Sequence, residues 1–203
     1  MTVPVGAVLF DLNGTLVDDL PRATRATAAA LALSGLPPLS EGQFGRRFSL
    51  PLIAFFTDLG VPDAAAAVEA WNAAMAAEQA PAMPGAREVL RLLRDRGLRT
   101  AVVSAAGCHP VRRDLEALGL LTLLDEVHCG VVDKTAVLAA EVAAHGTVLY
   151  VGDTEYDVAA AVAARARAVA FTGGYRPAAD LARTQPWQAI SSLIDVLRLL
   201  DLP

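Results

Sequence analysis

Four places in the chain put a polar side chain just beyond an apolar run: Asp11, Ser104, Lys134 and the pair Asp153 and Asp157. The first is the sharpest. Ala7-Val8-Leu9-Phe10 ends in Asp11, and a turn glycine and a hydroxyl follow in Leu12-Asn13-Gly14-Thr15. A buried strand that stops this way carries a nucleophilic carboxylate to the rim of a sheet, although an Asp at a strand end can equally cap a turn. Ser104 closes Ala101-Val102-Val103 and precedes Ala105-Ala106-Gly107. A hydroxyl and free backbone N–H groups ahead of a helix make an anion site, or a plain helix start. Cys108 and His109 nearby need no chemical role.

Lys134 stands out by composition. The chain has 16 Arg and one Lys, so a compact ammonium has been kept at a single position. A point charge suits a phosphate pocket; a solvated lysine at a helix start is the alternative, against the preference of helix N-termini for anions. The fourth place is Val151-Gly152-Asp153-Thr154-Glu155-Tyr156-Asp157. Two carboxylates four residues apart at a helix start can face one hard cation. Asp157 can also close a capping box with Thr154.

These residues need a sheet to gather them. After the opening strand, Asp18 or Asp19 can cap a helix with Pro21 in its first turn. Helical patterning then continues through segments near Glu41–Phe48, Leu52–Leu59 and Asp63–Gln79, with no strand among them. From Gly85 onward helices and apolar strands alternate. Strands are expected at Leu98–Ser104, Glu126–Cys129, Thr147–Val151 and Ala168–Phe171, and a last helix at Ala189–Leu200. Such alternation implies an α/β fold with a doubly wound parallel sheet. The expected division is an α/β core of residues 1–16 and 82–203 with an all-helical domain, 17–81, inserted after Asp11. An insertion at that point is placed to act as a lid.

Composition narrows the function classes. Net charge is −5 without a basic block, which speaks against nucleic acid as a partner. The most apolar stretches, Val158–Ala164 and Ala26–Leu33, are far too short to span about 30 Å of hydrocarbon, so no membrane partner is expected. No leader pattern precedes Val5–Phe10, which reads as strand. Cys108 and Cys129 lack metal-ligand spacing and suggest no disulfide framework. A cytoplasmic location is the expectation; oligomeric state is left open.

The loop Asp11-Leu12-Asn13-Gly14-Thr15-Leu16 resembles the nucleophile loop of the haloacid dehalogenase superfamily, whose phosphatases read D-x-D-G-T-[LV]. Asn13 stands where their second Asp is expected. Ser104, Lys134 and Gly152-Asp153-x-x-x-Asp157 follow in the order of the superfamily's remaining motifs. The helical insertion, including Arg47-Phe48-Ser49-Leu50-Pro51, is similar to the small α-helical cap of the phosphoglycolate phosphatase-like subfamily. The resemblance implies that Asp11 attacks the phosphorus of a small-molecule phosphate ester and forms an aspartyl-phosphate. It implies Mg²⁺ held by Asp11, the main-chain carbonyl of Asn13 and Asp153, with Asp157 supporting the ion indirectly or through water. Phosphate oxygens would meet Ser104, Lys134 and the backbone N–H groups of Leu12, Asn13 and Ala105.

In this family the side chain at position 13 moves the proton of the leaving group, which asparagine cannot do near neutral pH. Substitutes are Asp18, Asp19, a water chain or a substrate that leaves unaided; the rival class is a weakly active or silent phosphate-binding or regulatory protein. Related chemistries fit less well. A phosphonatase needs a lysine in its cap, and residues 17–81 contain none. A metal-free dehalogenase has no use for Asp153 and Asp157, and a phosphomutase needs the missing acid–base group even more. Arg22, Arg25, Arg46 and Arg47 could meet an anionic leaving group, or be ordinary surface arginines.

Overall fold

The structure, a computed structural model, describes residues 4–201. The chain forms two compact units, one from Met1–Asp18 with Pro81–Pro203 and one from Asp19–Ala80. Strand β1 (Val5–Phe10) precedes the helices of the second unit: α1 (Leu20–Ala32), α2 (Glu41–Arg47), α3 (Leu52–Asp58) and α4 (Ala64–Ala77). The chain then runs through α5 (Ala86–Asp95), β2 (Arg99–Val103), α6 (Cys108–Ala117), β3 (Glu126–His128), α7 (Lys134–His145) and β4 (Thr147–Gly152). It ends with α8 (Glu155–Ala163), β5 (Arg167–Phe171), α9 (Ala178–Ala182), β6 (Gln188–Ile190) and α10 (Val196–Leu199).

All six strands pair in parallel, in the order β3-β2-β1-β4-β5-β6. The expected doubly wound α/β sheet is therefore present. Strand order reverses between β1 and β4, and parallel sheets leave a crevice at the carboxyl ends of the strands beside such a switch point. Phe10 pairs with Val102 on one side and Val151 on the other, so residues just past β1, β2 and β4 share one rim. The pleat sends Ala7 and Leu9 into a buried cluster with Val103, Leu138, Tyr150, Val158 and Ala161, which packs α7 and α8 onto that face.

The sequence reading fails at the C-terminus. Part of the expected helix Ala189–Leu200 is β6, and only Val196–Leu199 forms an α-helix, after a 3₁₀ turn at Leu193–Asp195. Phe171 pairs with Ile190, and the Thr172 N–H donates to the Ile190 carbonyl at 2.9 Å. Pairing at the open edge of β5 overrides local helix preference, which is a weak term. Helix α9 is an addition to the expected elements.

The helical unit corrects two further expectations. Asp19 is the N-cap of α1, yet its side chain makes no capping bond. It is fully buried and pairs at 3.0 Å with Arg22, itself only 3% exposed, which also donates to the Glu78 carbonyl. This sealed pair removes Arg22 from the candidate substrate contacts and Asp19 from the candidate proton carriers. Arg25 pairs with Glu78 on the surface, while Arg46 and Arg47 are exposed in the last turn of α2.

A second ion-pair group ties the core together. The Arg99 guanidinium donates to Glu141 through Nε and Nη2, each at 3.0 Å, and Nη2 also reaches Glu126. Glu126, His128 and Glu141 lie close enough to share a cation. Arg99 already bonds both carboxylates, so this group fastens β2, β3 and α7.

Cys108 and Cys129 form a disulfide, contrary to expectation. Their separation of 21 residues carries no signal in sequence. Paired parallel strands β2 and β3 end at the same rim, however, and bring the Cα atoms to 4.9 Å. The bridge joins the start of α6, after Ser104, to the loop that leads to Lys134. Closing a loop of this length removes denatured-state entropy worth about 3 kcal/mol. Reduction should therefore lower the melting temperature by roughly 6–12 °C for a chain of this size. Scanning calorimetry with and without a thiol reductant checks it; equal melting temperatures would refute the entropic account.

Candidate active site

Asp11 continues β1 by one residue, its N–H donating to the Val151 carbonyl at 2.8 Å. The chain then turns back on itself: the N–H groups of Thr15, Leu16 and Val17 all donate to the Leu12 carbonyl, and Gly14 N–H donates to Val17. The turn needs glycine at position 14. Its φ is +77°, and a Cβ there would overlap the Asp153 carboxylate. The tight turn places Thr15 Oγ1 so that it donates to Asp153 Oδ1 at 2.9 Å.

Asp153 follows β4 and is fully buried. Its second oxygen accepts the Tyr175 N–H at 2.7 Å. Asp157 lies in the first turn of α8, and its two oxygens have different tasks. Oδ2 accepts from Thr154 N–H and Oγ1, closing the capping box. Oδ1 accepts from the Lys134 ammonium at 2.7 Å. Asp157 therefore closes the helix cap with one oxygen and bonds the buried ammonium with the other.

Lys134 opens α7 but is only 1% exposed. Its Nζ donates to Asp11 Oδ1 at 2.8 Å, to Asp157 Oδ1 at 2.7 Å and to the Tyr150 hydroxyl at 3.0 Å. A cation at a helix N-terminus is unfavourable alone; two carboxylates supply the compensation. Oxygens of Asp11, Asp153 and Asp157 lie within 4.8 Å of one another.

The electrostatics follow from that crowding. Burial pushes the Asp11 carboxyl up to about 6; Lys134 and the Leu12 N–H pull it down, and Asp157 pushes it further up. Asp153 is also raised, first by burial and then by Asp11 and Asp157, against the bonds from Tyr175 and Thr15. Burial works against the Lys134 charge, yet Asp11 and Asp157 hold its pKa well above the usual lysine value.

The other sequence candidates lie along the same rim, and the Leu12 N–H bonds the Asp11 carboxylate. Ser104 is buried at the end of β2, where its hydroxyl accepts the Ala106 N–H at 3.2 Å and its own N–H pairs with His128. Ala105 is partly exposed in the following loop. Leu12 is buried, and Asn13 is partly exposed and bridges to Val17. Sequence reasoning missed Tyr150 and Tyr175. Tyr150 had one signal, a phenol in the otherwise aliphatic run Val148-Leu149-Tyr150-Val151; Tyr175 acts through its main chain and had none.

Comparison with known proteins agrees with this geometry. A family profile described as haloacid dehalogenase-like hydrolase matches residues 5–165. A phosphoglycolate phosphatase of Cereibacter sphaeroides is 33% identical, over 94% of this chain and 97% of its own. One from Rhodospirillum rubrum is 35% identical, over 94% and 90%. Among solved structures, a haloacid dehalogenase-like family protein from Streptococcus pneumoniae superposes with a TM-score of 0.87 at 21% identity, covering 97% of this chain and 99% of that one. A hydrolase from Pseudomonas syringae gives 0.80 at 24% identity, covering 96% and 97%. The fold, the order of the strand-end residues and these relatives lead to one conclusion: the chain belongs to the haloacid dehalogenase-like hydrolase family and is a phosphoglycolate phosphatase-like member of it.

Proposed function

We propose that this protein is a Mg²⁺-dependent phosphatase that hydrolyses a small-molecule phosphate monoester through an aspartyl-phosphate on Asp11. One observation carries the reading: a lone buried lysine is bonded to a strand-end aspartate inside a carboxylate cluster. Lys134 fixes one Asp11 oxygen and offers positive charge to the phosphate. An Asp11 carboxylate oxygen then bonds to phosphorus as the ester P–O bond breaks, and water later displaces the carboxylate to release orthophosphate. Ser104 and the N–H groups of Leu12, Asn13 and Ala105 are the proposed phosphate donors. The helical unit 19–80 is the proposed cap.

The residues present fit magnesium. Three buried carboxylates against one ammonium leave two formal negative charges, and every side-chain donor is a hard oxygen. Asp11, Asp153 and the Asn13 carbonyl would hold the ion, with Asp157 in support through its bond to Lys134. When bound, Mg²⁺ supplies charge neutralisation for the transferring phosphoryl group. The names of the relatives make 2-phosphoglycolate the first substrate to test.

The assay is orthophosphate release from 2-phosphoglycolate and an aryl phosphate, in Mg²⁺ and in EDTA. Turnover in Mg²⁺ alone is the expected outcome. Magnesium at a hundredfold excess over its Kd should also stabilise the fold by about 2.7 kcal/mol, seen as a higher melting temperature. Turnover that survives EDTA, or no metal-dependent shift in melting, would remove magnesium from the site.

A further inference from the structure

We propose that the Tyr150 hydroxyl is a positioning group for Lys134, holding its ammonium in register with Asp11 for phosphoryl transfer. The proposal rests on the phosphatase reading above and deepens it.

An ammonium has three donors, and those of Lys134 meet Asp11 Oδ1, Asp157 Oδ1 and Tyr150 Oη. Two acceptors alone would leave a long, flexible side chain free to swing about the line that joins them. A third, off that line, fixes the position of Nζ. The hydroxyl is itself held: it lies 3.1 Å from both the Val103 carbonyl and Asp157 Oδ1, either of which can accept its hydrogen bond. Val103 is the residue before Ser104. One hydroxyl on β4 thus ties together the end of β2, the first residue of α7 and the first turn of α8. The tyrosine is 1% exposed, and burial keeps its phenol protonated, so it can accept from the ammonium while donating to an oxygen. Packing alone does not call for this hydroxyl, since phenylalanine would fill the same volume with no polar atom to satisfy.

The chain's single lysine makes the test direct, because [¹⁵N]lysine labelling gives one lysine ammonium resonance, from Lys134. The variant is Tyr150→Phe, which keeps the ring and removes only the hydroxyl. The wild-type resonance should exchange slowly with water; in the variant it should shift and exchange faster. With an aryl phosphate and Mg²⁺, kcat should fall roughly 10- to 100-fold, the scale of one lost charge-assisted hydrogen bond, with KM changed less than threefold. A thermal melt within a few degrees of wild type shows that the change is local. An unchanged resonance overturns the proposal. So does a shifted resonance with unchanged kcat, which would leave the hydroxyl a packing partner only. Failure of the phosphatase reading is recognised separately, because wild type then turns nothing over, and the role of Tyr150 in transfer falls with it.

Discussion

Asp11→Asn should abolish phosphate-ester turnover without weakening the fold. The kinetic half follows from the chemistry: an amide oxygen carries no charge and does not form an acyl phosphate, and deletion of a covalent nucleophile lowers kcat on the order of 10⁴-fold or more. The stability half follows from the site. Asp11 is a buried carboxylate whose pKa is raised first by loss of solvent. Asparagine has the same shape and still offers an oxygen to Lys134, which keeps Asp157 and Tyr150 as partners. Removing a charge from a crowded, desolvated cluster should hold the metal-free melting temperature level or raise it, as expected where function is assembled at the expense of stability. Paired measurements of kcat and melting in EDTA decide the matter. A variant within tenfold of wild-type kcat rules out Asp11 as nucleophile. A melting temperature lower by more than 5 °C would mean that the Asp11 charge holds the core together.

The residues that reached the site were legible because they break a pattern. Asp11, Lys134 and Asp153 each interrupt or follow an apolar run, and strand alternation alone brings such positions to one rim of a parallel sheet. Tyr150 was hidden by the same logic. A tyrosine inside a strand looks like core, and its hydroxyl acquires meaning only when α7 and α8 place Lys134 and Asp157 against it. The disulfide was hidden differently: Cys108 and Cys129 meet because β2 and β3 are sheet neighbours, a fact of strand order that no spacing encodes. Asp19 and Arg22 are sealed against each other, which the sequence does not reveal, since i and i+3 charges at a helix start look the same in sequence whether solvated or buried. Strand β6 was misread for want of its partner, because three residues pair only against the edge of β5.

Asn13→Asp should raise turnover, and the size of the gain should depend on the leaving group. General acid–base help is worth typically 10²–10⁴-fold. An alkyl phosphate such as 2-phosphoglycolate, whose alkoxide must be protonated as it departs, should gain most of that. A nitrophenyl phosphate, whose phenolate leaves without a proton, should gain little in the first step. The turn is set by N–H groups converging on the Leu12 carbonyl and by Gly14, and Asp has the same shape as Asn, so the backbone should tolerate the change. A further carboxylate two residues from Asp11 adds a like charge to the same loop, which raises its pKa toward the range in which one group can both give and take a proton. The proposed metal contact at this position is a main-chain carbonyl, so the melting shift caused by Mg²⁺ should persist in the variant. Equal rates for wild type and variant on the alkyl ester would show that the proton already has a carrier. Asp19 is locked against Arg22, which leaves Asp18, partly exposed in the same unit as Asp11, as the next residue to replace.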